Sequence, residues 1–321
     1  MMYPWLDEIR SYLAAALEQQ RLGHAPLLTG PEGVGKTALA EWLYRRILCL
    51  TPGEQGACGE CRSCSLLDSG THPDFFRVGI PEDKKEIPVD SVRGMTASLQ
   101  LTPSIGRHRL GLIEVAEAMN MNAANALLKT LEEPSNNTWL VLISHQSSRL
   151  PATIRSRCQK IAVRPPDTTV SLAWLAEHCP GQSPERLEEA LTLVADAPLA
   201  ARSLLEDEGL DFGHAILDGL LSIAAGRPVS TVINEQWQQQ AALTWRWLAL
   251  WTSLLMRQAQ GVPTSPLPGQ RKLDSALSPA ALGELWQQAL KGGVLARSSA
   301  RQDLLLGKWL LEWERISQSG S

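Results

Sequence analysis

A glycine-rich segment near the N-terminus has the composition of a phosphate-binding loop. The octapeptide Gly-Pro-Glu-Gly-Val-Gly-Lys-Thr, which begins at Gly30, fits the pattern G-x-x-x-x-G-K-[ST]. Backbone N–H groups around Gly30, Gly33 and Gly35 can converge on phosphate oxygens at the positive end of the following helix. Lys36 supplies a full charge, and the Thr37 hydroxyl is a ligand for Mg²⁺. The segment therefore predicts a site for ATP or ADP with Mg²⁺. A pocket that is kept as architecture and no longer used is the alternative.

Four cysteines form a second candidate site. Cys49, Cys58, Cys61 and Cys64 have the spacing C-x₈-C-x₂-C-x₂-C and fall within sixteen residues. Four thiolates satisfy the tetrahedral preference of Zn²⁺ and leave no coordination position open for chemistry. The segment from about 49 to 64 is therefore predicted to be a structural zinc module, which folds a loop that has little core of its own. A set of reduced thiols without metal is the alternative.

The elements that must position these residues follow an α/β pattern. Short apolar runs alternate with helical patterns over the first half of the chain, as in a parallel sheet flanked by helices. Five strands are predicted, at 25–29, 75–78, 110–115, 139–143 and 160–163. The glycine-rich segment lies between the first strand and a helix that begins near Thr37, as a phosphate-binding loop requires. A helix over 122–133 ends before Pro134. These elements predict a P-loop domain over residues 1–165.

The rest of the chain has a helical pattern. Short helices are predicted at 171–178, 184–194 and 199–207, and longer ones at 241–260, 280–290 and 298–316. They predict a small helical domain over 166–208 and an all-helical domain over 209–321. Seven of the 11 tryptophans lie in the last of these domains, and most are expected to fill its core.

Composition excludes several classes of protein. With 44% hydrophobic residues and a net charge of −4, no strong basic field indicates nucleic-acid binding. Six cysteines in 321 residues are too few for a disulfide framework, so Cys158 and Cys179 are expected to pack as small apolar side chains. No run reaches the ~18 apolar residues of a membrane span. Asp7, Glu8 and Arg10 stand where a signal peptide needs its apolar core. We expect a cytoplasmic protein that has no membrane partner.

Two further segments complete a known combination of motifs. Residues 125–134 read Asn-Ala-Leu-Leu-Lys-Thr-Leu-Glu-Glu-Pro, and residues 156–158 read Ser-Arg-Cys. With the glycine-rich loop and the cysteine cluster, they resemble the clamp-loader branch of the AAA+ ATPases over about residues 20–165, and more weakly beyond. The combination is similar to the gamma/tau and delta-prime subunits of bacterial DNA polymerase III. The resemblance implies an AAA+ domain, a small helical lid and an all-α C-terminal collar used for oligomerisation.

Missing residues distinguish these two kinds of subunit. In the family's motor subunits, the strand before the Leu-Leu-Lys-Thr helix ends in Asp-Glu, where the Asp positions Mg²⁺ and the Glu activates water. Counting back from Asn125 places Glu114 at the Asp position and Val115 at the Glu position. Because valine cannot accept a proton, ATP hydrolysis is expected to fail. Glu117 is close in sequence, but strand periodicity argues against its replacing the missing base. The position of the family's lid arginine is taken by Leu199.

A degenerate ATPase site combined with a retained Ser-Arg-Cys is typical of delta-prime subunits. The resemblance then implies that Arg157 is an arginine finger, which reaches the ATP bound by a neighbouring gamma/tau subunit. A surface or salt-bridging arginine is the alternative. The implied partners are gamma/tau and delta subunits in a clamp-loader ring and, through that ring, the sliding clamp and primed DNA. The chain would be a component of the DNA polymerase III holoenzyme, a DNA-directed DNA polymerase, without ATPase activity of its own.

Two other functions remain as alternatives. An active gamma/tau-like motor would need another base and another phosphate sensor, and steady-state ATP turnover would reveal it. A zinc-containing P-loop nucleotide kinase would account for the loop and the thiolates. It would leave Ser-Arg-Cys unexplained, and the sequence shows no phosphoryl-acceptor site for it.

Overall fold

A computed structural model of the protein describes residues 3–54, 56–82, 84–206, 209–233, 235–262, 277–296 and 300–318. The chain divides into two compact units, Met1–Arg202 and Ser203–Ser321. The first unit includes the predicted P-loop domain and most of the predicted small helical domain. The finer boundaries near residues 165 and 208 stay predictions.

A five-stranded parallel sheet forms the centre of the first unit. Its strands are β1 (Pro26–Thr29), β2 (Phe75–Val78), β3 (Arg109–Ile113), β4 (Thr138–Ser144) and β5 (Gln159–Ala162). Their order in the sheet is β2-β3-β4-β1-β5, and every neighbouring pair is parallel. The predicted α/β class and all five predicted strands are confirmed. The bounds differ from the predicted ones by one residue at several ends and by two residues at the end of β3, which stops at Ile113 and leaves Glu114 and Val115 beyond the strand.

Helices cover both faces of this sheet. The helices of the first unit are α1 (Asp7–Glu18), α2 (Lys36–Leu48), α3 (Arg62–Asp68), α4 (Val89–Leu99), α5 (Met121–Glu132), α6 (Ala152–Arg155), α7 (Thr168–His178) and α8 (Pro184–Leu193). A ninth helix, α9 (Pro198–Glu206), begins in this unit and continues past its last residue, Arg202. Alternate residues of β4 enter two separate cores, since Val141 packs with α1 and α2 while Leu142 packs with α4 and α5. Burial on both faces explains why these strands read as continuous apolar runs.

The helix of the Leu-Leu-Lys-Thr motif has clear start and stop signals. Asn120 caps the N-terminus of α5, where its side chain accepts a hydrogen bond from the Ala123 N–H at 2.9 Å. The helix ends at Glu132, two residues before Pro134. The predicted helix over 122–133 is therefore confirmed with its bounds shifted by one residue.

The second unit is helical in its described residues. Its helices are α10 (Gly209–Ala224), α11 (Val229–Val232), α12 (Glu235–Gln239), α13 (Ala241–Ala259), α14 (Pro279–Leu295) and α15 (Gln302–Gln318). Six tryptophans are at most 3% exposed, as the sequence predicts, and they are Trp237, Trp245, Trp247, Trp251, Trp309 and Trp313. Two glycines give them room: a Cβ at Gly213 would lie 2.4 Å from the Trp247 ring, and one at Gly292 2.4 Å from the Trp245 ring.

Within the described ranges, no helix combines the length and the apolar character that crossing a membrane requires.

Candidate functional site

The glycine-rich segment forms a tight loop between β1 and α2. Gly30, Gly33 and Gly35 have φ angles of 152°, 82° and 94°, which side-chain-bearing residues rarely adopt. A Cβ at Gly30 would lie 2.0 Å from the Val163 carbonyl oxygen, so only glycine fits there. Helix α2 begins at Lys36, one residue earlier than predicted, with Gly35 as its N-cap. The strand–loop–helix context expected of a phosphate-binding loop is therefore present.

The side chain of Lys36 contacts the backbone of the loop that precedes it. Its side chain is buried, and Nζ donates to the backbone carbonyl oxygens of Gly30, at 2.7 Å, and Pro31. Burial lowers the pKa of Lys36 to about 8, although the negative charges of Glu117 and Glu32 act to raise it. The ammonium group is thus held at the loop, within electrostatic range of two carboxylates. The Thr37 side chain is exposed.

The two carboxylates that follow β3 face different neighbours. Arg77 on β2 donates through Nη2 to Oε1 of Glu114, and β3 and β4 separate β2 from β1. A 3₁₀ turn at Ala116–Ala118 follows, and the side chain of Glu117 within it reaches the backbone just beyond β4. This turn is absent from the sequence prediction, because the predicted strand extends to residue 115 and strand periodicity does not hold beyond Ile113, where β3 ends.

Glu117 is held at the carboxyl end of β4. The backbone N–H groups of His145 and Gln146 donate to its Oε1 at 2.8 and 2.9 Å. The preceding residue, Ser144, is in register with Thr29, which immediately precedes the glycine-rich loop. The turn after β3 therefore places Glu117, rather than Glu114, at the ends of β4 and its neighbour β1, the strand that leads into the loop.

Two distant segments cover the loop. On one side, Trp5 Nε1 donates to the Val34 carbonyl at 3.0 Å, and a Cβ at Gly35 would lie 3.0 Å from Tyr3. On the other side, the Leu199 N–H at the start of α9 donates to the Gly33 carbonyl at 3.0 Å. Leu199, at the position predicted for a lid arginine, thus contacts the loop through its backbone.

The four clustered cysteines converge on one point. Their sulfur atoms all lie within 4.8 Å of one another, and the separations include 3.5 Å for Cys49–Cys58, 3.5 Å for Cys61–Cys64 and 3.8 Å for Cys49–Cys64. Four ligands about 2.3 Å from a tetrahedral Zn²⁺ stand about 3.8 Å apart. The cluster can therefore hold a metal ion without rearrangement, as the spacing predicted.

The two remaining cysteines lie elsewhere. Cys158 packs against the apolar core on the α4–α5 side of the sheet, and burial raises the pKa of its thiol to about 11. Cys179 is buried at the end of α7. In contrast, hydrogen bonding led by the Thr51 hydroxyl lowers the pKa of the clustered Cys58 to about 6. The pKa of Cys61 is also lowered, whereas burial raises the pKa of Cys49 and, to about 12, that of Cys64. Mutual proximity, rather than a shared thiolate character, therefore distinguishes the four clustered thiols from Cys158 and Cys179.

A polar relay that sequence reasoning missed attaches the cysteine cluster to the sheet. The Ser63 hydroxyl, between two cluster cysteines, donates to the Leu48 carbonyl at 2.7 Å and lies 2.9 Å from His72 Nε2. The Asp74 N–H donates to His72 Nδ1 at 3.1 Å. Because Nδ1 accepts, the neutral ring must carry its proton on Nε2 and donate it to Ser63. The relay depends on a neutral His72.

Arg157 of the Ser-Arg-Cys segment lies just before β5. Its Nη2 is 2.5 Å from Glu132 Oε1 at the end of α5, and its Nη1 donates to the Thr153 carbonyl at 3.0 Å. The Arg157 side chain is 36% exposed. The structure thus joins two motifs that the sequence separates, Leu-Leu-Lys-Thr-Leu-Glu-Glu and Ser-Arg-Cys, through one partly exposed ion pair.

The sequence of this chain is similar to those of known proteins. A family model described as "DNA polymerase III, delta subunit" matches residues 5–167. The protein named DNA polymerase III subunit delta' of Pseudomonas aeruginosa is 41% identical over 257 residues, which cover 80% of this chain and 77% of that protein. The protein of the same name from Escherichia coli K12 is 31% identical, with 99% of this chain and 97% of that protein covered.

A solved structure supports the fold. A gamma subunit-related protein of DNA polymerase III from Thermotoga maritima matches with a TM-score of 0.50, over 98% of this chain and 99% of that one. The two sequences are 14% identical, so the likeness shows a shared fold alone.

Proposed function

The chain belongs to the family of DNA polymerase III delta-prime subunits, and we propose that it acts in the clamp loader of a bacterial replisome. In this proposal it joins gamma/tau and delta subunits in a ring that places the sliding clamp on primed DNA in the bacterial cytoplasm. The observation that carries the proposal is the relationship to the E. coli delta' subunit, which extends over 99% of this chain. The family relationship also leaves the kinase alternative without support.

The proposed subunit binds nucleotide but does not hydrolyse it. Gly30, Gly33, Gly35, Lys36 and Thr37 supply the donors and the charge for ATP or ADP with Mg²⁺. Val115, just beyond β3, offers no group that could take a proton from water. This absence distinguishes the proposal from the alternative of an active gamma/tau-like motor.

The proposed metal is structural zinc. The thiolates of Cys49, Cys58, Cys61 and Cys64 would hold it, and their sulfur separations match those of a tetrahedral site. With four protein ligands, the ion supplies no open position for substrate. Its role is to fix the segment between α2 and α3.

Arg157 is the proposed arginine finger. Its side chain is partly exposed, and the guanidinium contacts Glu132 through Nη2 and the Thr153 carbonyl through Nη1, which holds it in one orientation. In the ring it would reach the γ-phosphate of ATP bound by a neighbouring subunit, where a planar guanidinium can make a two-pronged contact. The finger would promote hydrolysis in the neighbour and none in its own chain.

Reconstitution of the ring tests this function. We expect Arg157→Ala to assemble normally and to lower ATP hydrolysis at the neighbouring site, by up to the ~10³–10⁵-fold that trans-acting fingers contribute in GTPases. Arg157→Lys should restore only part of the rate, because an ammonium keeps the charge but loses the fork. Arg155→Ala, which removes an exposed arginine two residues earlier, is the matched control. Unchanged DNA-stimulated hydrolysis with Arg157→Ala would make Arg157 a structural residue.

A further inference from the structure

One oxygen of the Glu117 carboxylate is fully engaged and the other is not. Oε1 accepts the N–H groups of His145 and Gln146, whereas Oε2 is buried and has no hydrogen-bond partner. The Ser144 hydroxyl is close enough to lower the pKa of Glu117, without making a hydrogen bond of normal geometry. Among the described residues, no donor reaches Oε2 with normal geometry, so this oxygen can accept a further donor or a cation.

Unpaired polar atoms are concentrated at this end of β4. Among the described residues, seven buried side-chain N or O atoms have no hydrogen-bond partner, and three of them belong to Glu117, Ser144 and His145. Ser144 is 0% exposed. Folded proteins pair almost all such atoms with protein, water or a ligand. Three adjacent unpaired groups beside a phosphate-binding loop therefore indicate a place for a polar ligand.

The charges around this place fit a phosphate and its metal ion. Burial lowers the pKa of His145, and the positive charge of Lys36 lowers it further. Glu117 acts on both of them in the opposite direction. An ammonium group suits phosphate oxygens, and a carboxylate suits hydrated Mg²⁺. The carboxylate of Glu114 does not offer an unpaired oxygen of this kind, because it forms an ion pair with Arg77.

We propose that Glu117, and not Glu114, is the carboxylate that supports the metal-bound phosphates of a nucleotide on the glycine-rich loop. This inference rests on the proposed nucleotide binding and names the acidic residue of that same site. Ser144 and His145 complete the polar wall beside Glu117. The turn at Ala116–Ala118 brings Glu117 to the position beside the loop that the sequence analysis assigns to Glu114.

Glu117 is suited to hold a metal ion and unsuited to activate water. The two backbone N–H groups that donate to Oε1 stabilise the ionised form of the carboxylate, which makes it a weaker proton acceptor. Glu117 therefore adds metal-dependent binding without restoring the ATPase activity that Val115 removes.

The test measures how strongly Mg²⁺ strengthens nucleotide binding. ATP and ADP are titrated into the full chain with Mg²⁺ and with EDTA, for the unmodified protein, Glu117→Gln, Glu114→Gln, Glu32→Gln and Lys36→Ala. The amide oxygen that Glu117→Gln introduces can still accept both backbone N–H groups, so retained binding in EDTA confirms a folded site. Glu32→Gln removes a comparable negative charge near Lys36 from an exposed position.

We expect Glu117→Gln to lower the Mg²⁺-dependent gain in affinity by about 10- to 100-fold, the usual effect of removing an outer-shell metal partner. Glu114→Gln and Glu32→Gln should keep that gain. A full Mg²⁺ gain in Glu117→Gln, or its loss in Glu114→Gln, would overturn the inference and leave the proposed binding intact. If the unmodified protein bound neither nucleotide under either condition, the proposed binding would fail, and the inference with it.

Discussion

The cysteine cluster and the glycine-rich loop are both short connections beside the same helix, α2, but they obtain their geometry in different ways. All four thiols of the cluster come from residues 49–64. The loop is bounded by Tyr3 and Trp5 at the N-terminus and by Leu199 at the start of α9, and the charge of Glu117, after β3, acts on Lys36. One site is local in sequence, and the other is assembled from four regions of the chain.

This difference determines how each site responds to change. A local metal site depends on its own ligands, and the metal supplies the folding energy that the segment lacks. A site assembled from distant segments depends on the sheet and on the elements that cover the loop. Substitutions that shift those elements should therefore change the geometry of the loop as well. Removing a ligand should therefore damage the cluster alone, whereas adding a methyl group in the loop should disturb the wider fold.

The largest effect is expected from removing a thiolate. Cys61→Ser should reduce the metal content from about one Zn²⁺ per chain to none, because three thiolates no longer complete the tetrahedral site. Elemental analysis measures the zinc, and limited proteolysis reports cleavage confined to residues 49–64. Cys158→Ala is the control and should keep its zinc. A metal-free protein with four freely titrated thiols and unchanged protease resistance would contradict the zinc assignment.

The next effect compares one glycine from each site. Gly33 and Gly59 have similar φ angles of 82° and 79°, but a Cβ at Gly33 would lie 2.5 Å from the Ala200 backbone nitrogen, and one at Gly59 has nothing within 4 Å. Gly59→Ala should cost about 1–2 kcal/mol of unfolding free energy through backbone strain alone. Gly33→Ala should cost roughly 1–3 kcal/mol more, because α9 must move.

Urea denaturation of both glycine variants measures this difference. Equal losses would show that the contact between the loop and α9 yields without cost, which would remove the distinction between a local and an assembled site.

The smallest effect concerns the attachment of the cysteine cluster through His72. Burial lowers the pKa of His72, so the unfolded chain binds the proton more readily than the folded chain does. Stability should therefore fall as the pH drops below about 6.5, by at most about 1.4 kcal/mol per pH unit for this group. His72→Gln should lose less stability than the unmodified protein between pH 7.5 and 5.5. Identical losses in urea denaturation would show that the relay is not proton-sensitive.

The sequence predicts the sheet and the cysteine cluster because their signals are local. Buried parallel strands read as apolar runs, and four thiols at fixed short spacing can meet regardless of the surrounding fold. The sequence does not predict which groups the side chain of a given Glu will contact. Glu114 and Glu117 are three residues apart, and the 3₁₀ turn at Ala116–Ala118, which contains Glu117, decides which of the two carboxylates approaches the loop. The Ser63–His72 relay and the Arg157–Glu132 ion pair were equally out of reach, since they join segments that the chain order separates.

The close contacts between glycine and tryptophan in the second unit imply that substitutions there are coupled. A methyl group at Gly213 or Gly292 would enter the space of an indole ring, 2.4 Å from its carbon atoms. Each glycine can therefore change only if its tryptophan becomes smaller, and the order of the two steps matters. Reducing Trp247 first leaves a cavity that costs about 3–5 kcal/mol, whereas enlarging Gly213 first forces an overlap between α10 and α13. Homologues should accordingly retain or replace the members of each pair together, and alignments should show this covariation.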